Sequence, residues 1–144
     1  MRVAMIGAGY VGLVSGACFA DFGHTVACVD NDAGKVAALK RGDMPIFEPG
    51  LAELVAKNVR DNRLSFTTDL ASAVKAAEVV FIAVGTPSRR GDGHADLSYV
   101  FQAARDIASV LDGYKVIITK STVPVGTGDE VERIISELRP DAEF

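Results

Sequence analysis

The first thirty residues constrain this chain more than any other stretch. An apolar run, Met1 to Ile6, leads into Gly7-Ala8-Gly9-Tyr10-Val11-Gly12, and an apolar segment then continues to about Phe22, where Gly23 stops it. A second apolar run, Thr25-Val26-Ala27-Cys28-Val29, ends on Asp30. The pattern predicts strand, glycine-rich turn, helix, strand and acid, in the order and spacing of a dinucleotide site. Each residue type answers a physical need. Gly7 permits the tight turn out of the strand, and Gly9 has no side chain to keep a pyrophosphate off the backbone. Gly12 lets the helix lie close on the sheet. The free N–H groups and positive dipole end of the helix start face the phosphates. Asp30 is placed to accept hydrogen bonds from the adenosine ribose hydroxyls. Glycines cluster in many turns, so the flanking strands, the helix and the acid carry this reading.

The same stretch passes superficially for a secretory leader, since it is apolar and reaches Gly16-Ala17-Cys18-Phe19-Ala20. Its charged portion is the single Arg2, and four glycines interrupt the apolar run, which argues against a leader. With 144 residues and 49% hydrophobic content, the chain is expected to form one domain with a proper core. No apolar run is long enough and free enough of glycine to span a membrane. A net charge of −4 without a basic block argues against a nucleic-acid partner. Cys18 and Cys28 lack metal-ligand spacing and fall inside apolar elements, as reduced core thiols of a cytoplasmic protein would. His24 follows a helix-ending Gly and His94 sits in a polar loop, and no metal site is expected.

Beyond Asp30 the pattern alternates. Asn31-Asp32 caps a helix from Ala33 to Arg41, ended by Gly42. Lys35 lies on its first turn, where it either reaches the ribose or phosphate edge of a cofactor or is a solvated surface lysine. Met44 to Leu51 reads as a rigid loop in which two prolines and a glycine flank Ile46 and Phe47, both expected to pack. Helix 51–62 presents Leu51, Leu54, Val55 and Val59 on one face. A strand over 64–67, a short helix over 70–77 capped by Thr68-Asp69, and a fully buried strand over 79–84 follow. Helix 96–111, strand 114–119 and helix 128–138 complete the series. Pro140 to Phe144 stands where another strand is expected.

Strands alternating with helices predict an α/β fold with a doubly wound parallel sheet of Rossmann type, in the order 3-2-1-4-5 and cut before its final strand. Ligands of such a sheet bind beyond the carboxyl ends of the strands at the switch point, where loops 7–12, 85–88 and 120–126 converge.

Five stretches together resemble a known family: Gly7 to Leu13, Pro45 to Leu51, Val84-Gly85-Thr86-Pro87, Ala95 to Tyr99, and Lys120-Ser121-Thr122-Val123-Pro124-Val125-Gly126-Thr127. In that order and register they are similar to the amino-terminal domain of the UDP-glucose/GDP-mannose dehydrogenases, over essentially the whole chain. Phe47 stands where many relatives carry Tyr, and Ser88 often aligns with Thr. The resemblance implies NAD as cofactor and, in the full-length enzyme, a four-electron oxidation of a nucleotide sugar's primary alcohol to a carboxylate, within nucleotide-sugar metabolism and polysaccharide biosynthesis. It implies that Gly7, Gly9, Tyr10, Val11, Gly12, Asp30, Lys35, Thr86 and Thr122 lie along the cofactor. Thr122 would also help to hold a water near the reacting carbon.

The family's nucleophilic Cys, with its Lys, Asn and Asp partners and a Glu from an N-P-E-F-L-x-E-G stretch, is expected beyond Phe144. Residues 1–144 are therefore expected to be a dinucleotide-binding fragment, without the middle helix or the sugar-nucleotide domain. By itself it is expected to catalyse nothing and to self-associate through its open sheet edge, whereas the full-length protein is expected to be a homodimer. The Ser121 to Gly126 wording leans toward UDP-glucose. GDP-mannose or another nucleotide sugar is the alternative, and a stand-alone NAD-sensing module is a reading from a different class.

Overall fold

The computed structural model describes residues 1–89, 91 and 93–144. Its five strands, β1 (Arg2–Ile6), β2 (Thr25–Val29), β3 (Leu64–Thr67), β4 (Val79–Ile82) and β5 (Val116–Thr119), form one sheet in the order β3-β2-β1-β4-β5. Every pairing is parallel. The expected doubly wound α/β topology is thus the one observed. Successive side chains of a strand point to opposite faces, so a central strand covered on both sides must be apolar throughout. In β1, Val3 and Met5 join the core under helices α1 (Tyr10–Asp21), α2 (Ala33–Arg41) and α3 (Leu51–Arg60). Ala4 and Ile6 join the opposite core, with α4 (Leu70–Ala76), α5 (Ser98–Val110) and α6 (Thr127–Leu138).

Capping follows the sequence closely. The Asp32 side chain accepts from Lys35 N–H, and the Asp69 side chain accepts from Ser72 N–H, each satisfying a donor that helix geometry leaves free. Gly42 closes α2 in the left-handed conformation, donating to the Ala38 and Leu39 carbonyls.

Four local expectations are corrected. β4 ends at Ile82 rather than Val84, because Lys120 and Ser121 both donate to the Ile82 carbonyl and β5 turns away there. β5 starts at Val116 rather than Tyr114 and is an edge strand, with Val116 exposed and its other residues half-buried. Lys115 is buried, its ammonium donating to the Lys75 and Ala77 carbonyls and pairing with Asp112, so this position serves the end of α4 rather than the ladder. In the 42–50 loop, Ile46 packs against the core but Phe47 is 91% exposed. On α3, Val59 is exposed and Asn58 is buried, donating to Asp21 and the Leu54 carbonyl and accepting from Arg63.

Gly16 explains how closely α1 lies on the sheet. A Cβ built there would sit 2.7 Å from Cys28 Sγ and 3.6 Å from Val26 Cγ1. Gly16→Ala should therefore overpack this contact and destabilise the fold by about 1–3 kcal/mol. Combined with Cys28→Ala, which removes the clashing sulfur, it should cost less than the two single changes added, with a coupling of about 0.5–3 kcal/mol. Urea denaturation of the four proteins measures this, and strict additivity would count against the contact.

Candidate dinucleotide-binding site

At the carboxyl edge of the sheet a cleft of about 840 Å³ opens across the switch point between β1 and β4. Gly7, Gly9, Asp30, Lys35, Gly85 and Pro87 are among the residues that line it. The turn out of β1 is as tight as the glycines suggest. Gly7 has φ +106°, and a Cβ there would lie 2.6 Å from the Ala83 carbonyl oxygen. Gly12, already within the first turn of α1, faces the Gly7 carbonyl so closely that a Cβ would come within 1.8 Å of its oxygen. The role expected for Gly12, close approach to the sheet, is shared: Gly12 closes the loop on itself, and Gly16 seats the helix.

Gly9 differs from both. It caps α1 in an extended conformation, and a Cβ there would meet nothing within 4 Å. The space beside it is open toward the cleft that it lines. The first bond of α1 runs from Leu13 N–H to the Gly9 carbonyl, which leaves the N–H groups of Tyr10, Val11 and Gly12 outside the helical ladder. An open lip next to free N–H donors and the positive end of a twelve-residue helix fits a pyrophosphate.

Asp30 is 8% exposed, and its carboxylate is more committed than the sequence suggests. Oδ2 accepts from Ala8 N–H and from Lys35 Nζ, both at 2.9 Å, and Oδ1 accepts from Asp32 N–H at 3.0 Å. Burial pushes this carboxyl up, but the Lys35 ammonium and the two backbone donors outweigh it and hold it below the usual range. Lys35 is thus not a solvated surface lysine: it lines the cleft as the ion-pair partner of Asp30.

The remaining expected positions divide. Thr86 and Thr122 meet each other, Thr86 Oγ1 donating to the Thr122 carbonyl at 3.0 Å, which ties the β4 and β5 exit loops together. Tyr10 turns its side chain away from the helix axis to hydrogen-bond Glu48, whose carboxylate pushes the phenol above its ordinary value. Val11 is half-buried and packs against the α1-side core. Two residues not singled out in sequence also shape this edge. Glu48 anchors Tyr10 across 38 residues, a separation at which no local pattern signals contact. Ser121 is buried and donates to the Val84 carbonyl at 2.7 Å; its place in the motif at the β5 exit was its signal.

Neither thiol lies at the cleft. Cys28 is buried in β2, and burial pushes it up to about 12, so it is protonated at neutral pH. Cys18 lies within α1. Among the described residues, no helix is long and apolar enough to cross a membrane.

Comparison with known proteins agrees with this geometry. Residues 1–144 match the family model for the UDP-glucose/GDP-mannose dehydrogenase family, NAD binding domain. Over 143 residues the chain is 71% identical to UDP-glucose 6-dehydrogenase of Rhizobium meliloti, covering 99% of this chain and 33% of that protein. A GDP-mannose dehydrogenase structure from Pseudomonas aeruginosa superposes with a TM-score of 0.93 at 36% identity, covering 99% of this chain and 33% of that one. A UDP-glucose dehydrogenase structure from Pyrobaculum islandicum gives 0.92 at 38% identity, covering 99% and 34%. The chain spans about a third of the length of these proteins. It belongs to the UDP-glucose/GDP-mannose dehydrogenase family, as that family's NAD-binding domain.

Proposed function

We propose that residues 1–144 are the cofactor-holding domain of an enzyme that oxidises UDP-glucose to UDP-glucuronate with two NAD. The observation that carries the substrate is the 71% identity to the Rhizobium meliloti UDP-glucose 6-dehydrogenase, against 36% to the GDP-mannose enzyme. Because the chain spans a third of such proteins, the sugar-nucleotide pocket and the covalent chemistry belong to segments outside it. NAD, when bound, supplies the hydride acceptor.

This chain's own residues bind and orient. Gly7, Gly9 and Gly12 keep the loop low and its N–H groups forward, with Tyr10 and Val11 contributing backbone donors. Asp30 takes the adenosine ribose, and Lys35 holds that carboxylate ionised and aimed. Thr86, bonded to the Thr122 backbone, sets the Thr122 hydroxyl where it positions a water near the reacting carbon. A cytoplasmic location accords with two free cysteines and no disulfide. A homodimer is the assembly expected of the full-length protein. The edge strand β5, with Tyr114 and Val116 exposed, offers a surface through which copies of this chain can pair.

Titration of the purified chain with NAD and NADP tests the cofactor reading. NAD should bind at least tenfold more tightly, because a 2′-phosphate about 4 Å from a carboxylate costs roughly 4 kcal/mol at an effective dielectric near 20, less what Lys35 offsets. Asp30→Ala should shrink or reverse that preference, since it frees the Lys35 ammonium to meet the phosphate. Equal affinity in the unmodified chain would sink the assignment.

Gly9→Val should abolish NAD binding while shifting the melting temperature by no more than a few degrees, because its side chain enters open cleft rather than protein. Normal binding by this variant would put the phosphates elsewhere.

Mixed with NAD and UDP-glucose, the chain alone should generate no NADH. Cys28 is protonated in the core, and a threonine hydroxyl is no base near neutral pH. Steady NADH production lost on Cys28→Ser or Cys18→Ser would overturn the division of labour.

A further inference from the structure

The cleft does not stop at Asp30. It runs on between the start of α4 and one face of α5, where Leu70, Ala103 and Val110 form apolar walls and Gln102 and Asp106 stand at the rim. The two rim side chains are one helical turn apart and bonded: Gln102 Nε2 donates to Asp106 Oδ1 at 2.7 Å. The other end of the Gln102 amide is fixed as well, its Oε1 accepting from Arg105 Nε at 3.3 Å and Nη2 at 3.2 Å. Both amide ends being engaged, Gln102 cannot flip without losing bonds at each. Asp106 therefore presents a carboxylate of set orientation, and among the described residues its Oδ2 receives no hydrogen bond. The far end of the cleft is thus an apolar slot whose rim offers a carboxylate acceptor, with one Gln102 N–H committed to it.

We propose that Asp106 selects the base of the bound dinucleotide, accepting a hydrogen bond from the exocyclic amino group of adenine, with Gln102 as its positioning residue. The inference rests on the dinucleotide reading of the cleft and adds base selectivity to it. A flat heteroaromatic ring suits the apolar walls whatever its substituents, so the walls alone cannot tell purines apart. The rim can. An amino group meeting a carboxylate makes a charge-assisted hydrogen bond, whereas an oxo group in the same place sets acceptor against acceptor.

Nicotinamide hypoxanthine dinucleotide is the probe, because it carries the charges, sugars and pyrophosphate of NAD and replaces the adenine amino group with an oxo group. Isothermal titration of the 144-residue chain should give NAD an advantage of about tenfold or more, the scale of one charged hydrogen bond lost at a partly exposed site. Asp106→Ala should bring the two affinities together by weakening NAD. Asp106→Asn, whose amide can turn a donor to the oxo group, should shift the preference toward hypoxanthine. Gln102→Ala should lower the discrimination without erasing it, because the carboxylate remains but swings. Asp106 and Gln102 are both exposed, so the variants should keep the parent's far-ultraviolet circular dichroism and melting temperature. Equal binding of the two dinucleotides by the unmodified chain, or full discrimination retained by a folded Asp106→Ala variant, would overturn the proposal while leaving the NAD reading intact. Failure to bind either dinucleotide would overturn the NAD reading, and this proposal with it.

Discussion

The Asp30 carboxylate joins the two loops on which the cofactor edge depends. It accepts from the backbone of the β1–α1 loop at Ala8, from the end of the β2–α2 loop at Asp32, and from the Lys35 ammonium in the first turn of α2. A buried carboxylate is costly unless donors surround it, and here three donors do so. The same bonds that keep it charged hold the glycine loop against the end of β2. Binding group and structural clasp are one residue, so the loop's shape and the charge facing a ribose are set together.

Around that clasp the site is rigid where backbone meets backbone and open where a ligand has to enter. Gly7 and Gly12 press the loop against Ala83 and against itself, closer than any side chain permits. Gly9, between them, faces open space. On the other side of the switch point, Ser121 ties the β5 exit to Val84, and Thr86 ties the β4 exit to Thr122. The cleft is thus bounded by loops that are bonded to one another rather than free to drift, which reduces the ordering left to be done when a ligand arrives.

Local rules made much of this legible in advance. Apolar runs located the central strands β1, β2 and β4, because a parallel strand covered on both faces needs apolar residues at nearly every position, and the strand–helix alternation located the edge strands β3 and β5. Asp32, Asp69 and Gly42 marked helix ends through hydrogen bonds that reach only a few residues. The misreadings lie where distant segments compete for one position. Periodicity assigned Val59 to the buried face of α3, yet Asn58 is buried there because Asp21 and Arg63 come to meet it from other elements. Phe47 was expected to pack beside Ile46, but only Ile46 finds the core. Lys115 looked like a strand residue and instead terminates α4.

The sequence by itself determined the fold class, the strand order, the glycine loop with its acid, and the family, since each rests on short-range periodicity or on motifs in fixed order. Tertiary structure alone decided what those residues touch. It paired Lys35 with Asp30, Tyr10 with Glu48 and Thr86 with Thr122, and it made Gly16 the residue that seats α1 on Cys28. It also joined the Asp30 pocket to the Gln102–Asp106 rim in a single cleft. Lys35 and Asp30 are only five residues apart, yet the lysine's reach to solvent or to the acid depends on how α2 leaves the sheet. The other pair contacts span from 12 residues of chain (Gly16 to Cys28) to 38 (Tyr10 to Glu48), and their partners meet only once the parallel crossovers have stacked helices on both faces of the sheet.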